Sequence, residues 1–340
     1  MSEARVLLDY GSGGKAAQRL IADLFAHHFA NPILAALDDA AFLGTVKGPL
    51  AMSTDGYTVD PLEFPGADIG MLAVHGTVND VSMLGARPLF LSCGFILEEG
   101  LPMVILERIV QNMGAAAREA GVQIVTGDTK VVPRGAADKM FITTTGLGEV
   151  LRTPAPSGSR ARPGDAILLS GSIGDHGLTV LSCRDGLALA SGVRSDSASL
   201  NRMVEALMLE IGDIHTLRDP TRGGLATTMN EIAEQSRVAC LLKEEWIPIH
   251  EGVKAGCSVL GLDPLYLANE GKLICILPAE NAERALSVMR MFPEGREAVC
   301  IGEVLSPEGS ARSGQVMLQT PLGGKRLLGM LEGEQLPRIC

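Results

Sequence analysis

The first half of the chain alternates between apolar positions spaced three and four apart and short continuous apolar runs. The helical spacing predicts two buried helices, at 69–84 and 103–120, the second ending at Gly121. The apolar runs predict strands at 40–46, 50–54, 89–97, 122–125 and 140–147. The first two strands flank the turn Lys47-Gly48-Pro49, which predicts a hairpin. Because helices and strands alternate, this half is predicted to be an α/β domain with a mixed sheet.

The second half repeats the alternation after a stretch with the composition of a linker. Residues 151–164 are rich in proline, glycine, serine and arginine, and we place the domain boundary there. Strands are predicted at 166–170, 238–242, 272–277, 298–304 and 315–320, and helices near 199–210, 223–236, 250–260 and 280–291. The prediction is two α/β domains, 1–150 and 151–325, followed by a mobile tail, 326–340.

Composition and charge exclude several classes of protein. The 340 residues carry a formal net charge of −11, which argues against a nucleic-acid partner that needs a broad basic surface. No apolar run reaches the roughly 18 residues of a membrane span, and the N-terminus lacks the pattern of a signal peptide. We therefore expect a cytoplasmic protein with neither a nucleic-acid nor a membrane partner. The seven cysteines form no C-x-x-C pair, so neither a disulfide framework nor a structural zinc site is expected.

Acidic residues in small-residue surroundings suggest a metal site. Asp38, Asp55, Asp80 and Asp128 all lie at ends of predicted elements rather than on charged helix faces. Carboxylate oxygens are the ligands that Mg²⁺ uses while it also holds phosphate oxygens. We therefore predict that these acids bind Mg²⁺, with Asp39 as an alternative to its neighbour Asp38. The competing interpretation of each single acid is a helix cap or a turn.

A glycine loop near the N-terminus is a candidate for phosphate binding. Gly11, Gly13, Gly14 and Lys15 precede a predicted helix, so backbone N–H groups and a lysine can face an anion. The spacing is not that of a Walker A loop, and an ordinary glycine turn is the alternative.

Two loops in the second half are also candidates. Asp219 and Arg222 stand next to Gly223-Gly224 ahead of a predicted helix, a combination that suits a phosphate or metal contact or a helix N-cap. Glu270 lies just before a predicted apolar strand, where it is either a turn acid or a general base.

The chain ends on a cysteine, and the residues before it predict an arm. Pro337 fixes φ and biases Leu336 toward extended backbone, while 331–335 has no apolar periodicity and predicts a mobile tether. About ten extended residues reach roughly 33–36 Å, enough to carry the thiol of Cys340 into a cleft of the same molecule or of a neighbour. The alternative is a frayed terminus whose last residue is cysteine by chance.

These motifs together resemble a known family. The resemblance rests on Asp38-Asp39-Ala40-Ala41, Ser53-Thr54-Asp55-Gly56, Asn79-Asp80 through Arg87-Pro88, Gly127-Asp128-Thr129-Lys130, Asp219 through Gly224 and Asn269 through Lys272. This set is similar to the ATP-binding superfamily of aminoimidazole ribonucleotide synthetase and selenophosphate synthetase. The ending Pro337-Arg338-Ile339-Cys340 narrows the resemblance to the HypE family of hydrogenase maturation proteins.

The resemblance implies a fold, a reaction and partners. The fold is that of aminoimidazole ribonucleotide synthetase, with an N-terminal domain that pairs with its counterpart in a homodimer. The reaction is an ATP- and Mg²⁺-dependent dehydration of a carbamoyl group on the terminal cysteine to a thiocyanate. The carbamoyltransferase HypF would supply the carbamoyl group, and the HypC–HypD complex would receive the cyanide ligand for the iron of nickel-iron hydrogenase.

The resemblance also implies roles for the candidate residues. Catalysis is expected from Cys340, Glu270 and Lys130, nucleotide binding from Gly11, Gly13, Gly14, Lys15, Asn79, Asp219 and Arg222, and metal binding from Asp38, Asp55, Asp80 and Asp128. In this scheme Glu270 is the base, and Lys130 stabilises the developing phosphate or assists proton transfer.

Other activities on the same scaffold remain open at this point. Selenophosphate synthesis is disfavoured because no cysteine precedes Cys93, and thiamine monophosphate kinase has no use for Cys340. A non-catalytic carrier that uses the terminal thiol is a third possibility, although no Cys or His ligand stands near position 340. Whether the tail would enter its own cleft or a neighbour's also stays open.

Overall fold

The computed structural model describes residues 4–11, 14–38, 40–184, 192–308, 312–333 and 338–340. The helices in these ranges are α1 (Lys15–Leu20), α2 (Ala26–His28), α3 (Ile69–Met83), α4 (Met103–Ala120), α5 (Asp175–Ser182), α6 (Asn201–Glu210), α7 (Gly224–Ser236), α8 (Glu251–Leu260) and α9 (Ala282–Met289). A π-helical turn, Ile21–Phe25, joins α1 to α2.

The strands fall into two main sheets and one short pair. They are β1 (Leu50–Tyr57), β2 (Glu63–Phe64), β3 (Ala67–Asp68), β4 (Ala86–Glu98), β5 (Gln123–Val132), β6 (Met140–Val150), β7 (Asp165–Leu169), β8 (Thr216–Arg218), β9 (Ala239–Lys243), β10 (Ile274–Pro278), β11 (Val299–Leu305), β12 (Val316–Gln319) and β13 (Lys325–Leu327). The predicted α/β class with mixed sheets is confirmed, because each main sheet contains both parallel and antiparallel neighbours.

The first sheet has the strand order β1-β6-β4-β5, and two helices cover one of its faces. The α3 helix is apolar nearly all round, which is why it lies buried between this sheet, α4 and the second half. Asp68 caps its N-terminus by accepting a hydrogen bond from the Met71 N–H. The α4 helix buries one stripe, including Leu106, Ile109 and Met113, and ends at Gly121 in the left-handed region.

The second sheet has the order β13-β12-β9-β11-β7-β10-β8 and is covered on both faces. The α7 helix packs on one face, and α6 with α9 pack on the other. Its interior strand β7 is buried along its whole length, as expected for a sheet between two helical layers. None of the helices in the described ranges is long and apolar enough to cross a membrane.

The predicted hairpin at 40–46 and 50–54 is wrong. Residues 41–47 form no strand, and Phe42 is 87% exposed, whereas β1 pairs antiparallel with β6. The partner of β1 is therefore about 90 residues away in sequence, a distance that local turn signals cannot reveal. The strand predicted at 122–125 was too short, since β5 continues in parallel with β4 through Lys130 to Val132.

Among the described residues, no helix or strand layer covers the face of the first sheet opposite its helices. Its apolar side chains include Leu50 at 55% exposure, Met52 at 69% and Ile96 at 42%. Because side chains alternate along a strand, these residues share one face, while Ala51 and Leu97 point into the core. A sheet with one solvated apolar face is a candidate for contact with another protein surface.

Candidate active site

The end of the chain lies in a cleft between the two sheets of its own molecule. The Cys340 carbonyl oxygen accepts a hydrogen bond from the Thr58 N–H at 3.0 Å, and the Arg338 carbonyl accepts one from Asp60 at 3.3 Å. Between them, Ile339 is 5% exposed and packs against the core of the first half. Residues 334–337, where part of the tether was predicted, lie outside the described residues.

Charged side chains strengthen this placement of the tail. The Arg338 guanidinium donates to the Thr58 carbonyl at 2.8 Å and pairs with Asp138. Arg184 donates to the Arg338 carbonyl at 2.9 Å and to the Asp60 carbonyl at 3.1 Å. The arginine of the terminal motif therefore has a direct structural function, which is to hold the last two residues in register with Thr58 and Asp60.

The thiol of Cys340 lies beside a cavity and a group of acids. The cavity measures about 330 Å³ and is lined by Gly56, Thr58, Arg222 and the tail itself. Burial raises the pKa of the Cys340 thiol to about 12, with a further increase from the negative charge of Glu270. The free thiol is therefore protonated at neutral pH, and little of it is available as a nucleophile.

Three aspartates converge on the floor of the same cleft. Asp55 comes from β1, Asp80 from α3 and Asp219 from the loop after β8. Burial, followed by repulsion from Asp80, raises the pKa of Asp55 to about 6 and the pKa of Asp219 to about 7. A divalent cation would reduce this repulsion, so the carboxylate oxygens of the three aspartates are candidate ligands.

Glu270 completes the acidic group and is the most buried of its members. Its side chain is 4% exposed. Burial first, then the charges of Asp219, Asp196 and Asp80, raise its pKa well above the usual range. The surroundings of Glu270 therefore disfavour its ionised form, and a reduction of the nearby negative charge would favour that form.

A buried aspartate that the sequence analysis did not identify holds the backbone on either side of Glu270. The Asp196 carboxylate accepts hydrogen bonds from the Glu270 N–H at 3.1 Å and the Gly271 N–H at 3.3 Å. Lys272 lies 3.5 Å from the same carboxylate. Gly271 is required here because a Cβ at this position would overlap the Asp196 carbonyl oxygen.

Asn79 and Arg222, both predicted to contact the nucleotide, have different surroundings. The Asn79 side chain bonds to the backbone of Ala198, Leu200 and Glu270, so in this structure it joins α3 to the second half. Arg222 is exposed and lines both the cavity beside Cys340 and a second cavity of about 540 Å³ that reaches Asp80 and Asp219. Arg222 is therefore placed to contact an anion, whereas Asn79 positions backbone.

Asp128 and Lys130 lie apart from the aspartate group in the single chain. Asp128 is aligned with Gly94, Thr143 and Gly56 across the sheet, which puts it three strands, or about 14 Å, from β1. Lys130 forms an ion pair with it at 2.8 Å, and hydrogen bonding to Lys130 lowers the pKa of Asp128. No group of three or more His, Cys, Asp or Glu side chains in the described ranges has the arrangement of a complete metal site.

The glycine loop lies next to this second pair. Gly11 packs so closely on β5 that a Cβ would overlap the Val131 nitrogen. An apolar cavity of about 180 Å³ is lined by Tyr10, Gly11, Phe25 and Phe95, with Asp128 and Lys130 at its edge. Gly14 is the N-cap of α1, Lys15 and Asp38 are exposed, and Gly13 and Asp39 lie outside the described residues.

The comparisons with known proteins agree with this arrangement. Residues 37–150 match the N-terminal domain of "AIR synthase related protein", and residues 162–313 match its C-terminal domain. "Carbamoyl dehydratase HypE" of Azotobacter vinelandii is 55% identical over 97% of this chain and 96% of its own length. The chain belongs to the HypE family. HypE proteins are carbamoyl dehydratases of hydrogenase maturation, so the chain is an enzyme.

Two solved HypE structures are close in shape. A hydrogenase maturation protein HypE in complex with ATP is 71% identical, with a TM-score of 0.95, covering 98% of this chain and 99% of that one. The HypE chain of a HypE–HypF complex is 46% identical, with a TM-score of 0.80, covering 92% of this chain and 99% of that one.

The aspartate group predicts a pH dependence of stability. Because the folded-state pKa of Asp55 is raised to about 6, its contribution to stability is present below pH 4 and is lost as the pH rises through 6. We expect Asp55→Asn to raise the melting temperature at pH 8 more than at pH 5, as measured by calorimetry without added metal. Glu280→Gln, on the exposed surface, is the control. An equal change at both pH values would contradict the prediction.

Proposed function

We propose that this enzyme uses ATP to dehydrate a carbamoyl group on its own Cys340 to a thiocyanate, which supplies cyanide for the iron of nickel-iron hydrogenase. The observation that carries the proposal is the position of the Cys340 thiol beside Glu270 and Arg222, above the aspartate group. A thiol buried at a pKa of about 12 is a poor nucleophile, but its sulfur is well placed to carry a group into the acidic cleft.

The reaction needs a leaving group, a proton acceptor and charge stabilisation. The carbamoyl oxygen attacks the γ-phosphorus of ATP, the bond from that phosphorus to ADP breaks, and a nitrogen proton leaves. The carbon–oxygen bond then breaks, phosphate departs with its electrons, and loss of the second nitrogen proton completes the C≡N bond. Glu270 would accept protons from the nitrogen, and Arg222 would face the transferred phosphoryl group.

A lower pKa would favour the role of Glu270 as a base. Burial, and after it the negative charges of Asp219, Asp196 and Asp80, raises this pKa in the free chain. Asp55, Asp80 and Asp219 would hold Mg²⁺, which would offset their charge and that of the nucleotide phosphates. We infer that loading of the cleft lowers the pKa of Glu270 and so favours its ionised form.

The apolar cavity near the N-terminus is a candidate for the nucleotide base. Its aromatic lining suits a flat ring, and the ATP complex of a HypE relative supports nucleotide binding by this fold. Gly11 and Lys130 at its edge would then contact phosphates. Because Asp128 and Lys130 lie across the sheet from Asp55, their participation requires a nucleotide that spans the sheet or a second copy of the chain.

The buried thiol also defines how partners gain access. The HypE–HypF complex supports a HypF carbamoyltransferase as the donor. We expect the tail to leave the cleft to be carbamoylated, because Ile339 is buried and Cys340 is half-buried when the tail lies along Thr58 and Asp60. It must return for the dehydration and leave again to deliver cyanide to a HypC–HypD complex.

The terminal thiol provides the test of the proposed function. Cys340→Ala is expected to fold and bind ATP but to accept no carbamoyl group from HypF, since none of the other six cysteines lies in the C-terminal tail. Intact-mass analysis after incubation with HypF, carbamoyl phosphate and ATP measures this, with exposed Cys183→Ala as the control. A carbamoyl adduct on the Cys340→Ala protein would contradict the proposal.

The uncovered sheet face supports a homodimer. We propose that two copies pair through the face that carries Leu50, Met52 and Ile96, because pairing would bury these apolar side chains.

We expect a dimeric mass in light scattering at micromolar concentration, and Met52→Glu should shift the mass toward that of the monomer. Met291→Glu is a matched control, since Met291 is 68% exposed and Met52 is 69% exposed, but Met291 follows α9 in the second half. A monomeric parent protein, or equal effects of the two substitutions, would count against this surface.

A further inference from the structure

A buried histidine contacts the tail from the second half of the chain. The Nε2 atom of His176 lies 2.8 Å from the Ile339 carbonyl oxygen, and His176 is 0% exposed on α5. A carbonyl oxygen only accepts hydrogen bonds, so Nε2 must carry the proton and donate it. The other ring nitrogen, Nδ1, is therefore an acceptor.

Ser195 provides the donor that this tautomer needs. Its Oγ lies 2.8 Å from Nδ1 of His176 and accepts a hydrogen bond from the Ser197 N–H at 3.1 Å. The hydroxyl proton is thus directed at Nδ1. Phe64 meets the imidazole edge to face, with ring centroids 5.5 Å apart, so His176 is fixed in orientation as well as in tautomer.

His176 binds the Ile339 carbonyl, which accepts no hydrogen bond from the backbone of Thr58 or Asp60 in the first half. The carbonyls of Arg338 and Cys340 accept from the backbone of Asp60 and Thr58, whereas that of Ile339 points to the other side of the tail. Each carbonyl of the last three residues therefore has a partner, and the tail is held from both halves. If the tail shifted by one residue along this cleft, the Nε2–H group of His176 would no longer face the Ile339 carbonyl.

The segment that orients His176 also holds the proposed base. Ser195 bonds to His176, and the next residue, Asp196, accepts from the backbone of Glu270 and Gly271. Ser195 is itself fixed by a 2.8 Å bond from its N–H to the Pro65 carbonyl. Two adjacent residues therefore fix both parts of the site: Ser195 orients the histidine that binds the tail, and Asp196 holds the backbone at Glu270.

We propose that His176, oriented by Ser195, is a positioning residue that sets the register of the tail so that the group on the Cys340 sulfur faces Glu270. The inference rests on the proposed function of Cys340. It assigns His176 no contact with the reacting atoms, because His176 acts through the carbonyl of the preceding residue, Ile339.

Alkylation of the cysteines tests the contact without any carbamoyl chemistry. In the parent protein, Cys340 is half-buried, so iodoacetamide should react with it faster when the tail leaves the cleft. His176→Ala should raise the alkylation rate of Cys340 by about tenfold. The reason is that loss of one buried hydrogen bond shifts the equilibrium between the bound and released tail by about this factor. His176→Gln, whose amide places a donor near the position of Nε2, should stay within about twofold of the parent.

Cys257 is an internal control for local unfolding. It is 1% exposed and packs against Leu178 of α5, so its alkylation would rise if the His176 substitution loosened the helix. Faster alkylation of Cys340 with Cys257 protected supports the inference. An unchanged rate at Cys340 overturns it. If both rates rise in His176→Ala, the Ser195→Ala protein is tested next. The inference requires that Ser195→Ala speeds alkylation of Cys340 while Cys257 stays protected, and any other result overturns it.

Single-turnover dehydration of the carbamoylated proteins shows whether His176 positions the group on Cys340 for the reaction or only binds the tail. His176→Ala should slow conversion by about tenfold or more, and His176→Gln should restore most of the rate. Equal rates in the parent and His176→Ala proteins would contradict a positioning role. If the parent itself converts nothing while the alkylation results hold, the proposed function fails and the contact between His176 and the tail remains.

Discussion

The structure depends on four carboxyl groups that share one poorly solvated cleft. Burial, and then repulsion between these groups, raises the pKa of Asp55, Asp219 and Glu270, and no single element supplies more than one of the four. Bringing such groups together costs stability, so the surrounding fold must hold them by other contacts. The apolar helix α3 and the fully buried strand β7 provide those contacts. A cation bound in the cleft would offset part of the repulsion between these acids.

The tail completes the cleft and also closes it. Its backbone pairs with Thr58 and Asp60, its arginine binds Asp138, and its thiol lies among the acids. The same contacts that would present a modified sulfur to Glu270 cover the unmodified sulfur from outside reagents. A reaction cycle that needs both states favours a tail bound by a few hydrogen bonds and one buried isoleucine, which is strong enough to order the tail yet weak enough to release it.

Many of the helices and strands follow from local sequence patterns, and the errors in the predicted strands have one cause. The helix at 103–120 was predicted to the residue, because an amphipathic stripe followed by Gly121 fixes both its face and its end. The pairing of β1 with β6 was missed, because the partner of a strand is decided by burial of whole faces.

The candidate site shows the same limit. Asp55, Asp80, Asp219, Glu270 and Cys340 carry side-chain chemistry that a sequence displays, and the structure brings them together. Asp196 and His176 act on backbone groups of residues far away in sequence, so their types alone give no signal. The glycine beside Glu270 was the available clue to Asp196, because a glycine marks a close backbone approach. Asp128 was grouped with the other acids by type and Lys130 was expected to act beside them, whereas the single chain places both across the sheet from Asp55.

The most direct test of the account is the fate of the carbamoyl group when the proposed base cannot accept a proton. The C-terminal peptide of the carbamoylated protein is followed by mass spectrometry after a single addition of ATP and Mg²⁺, and Glu270→Gln is compared with the parent. The account predicts that Glu270→Gln keeps the carbamoyl group and loses water about 10²–10⁴-fold more slowly, the usual contribution of a positioned general base. Loss of water at the parent rate would show that Glu270 is not the base and would contradict the central claim.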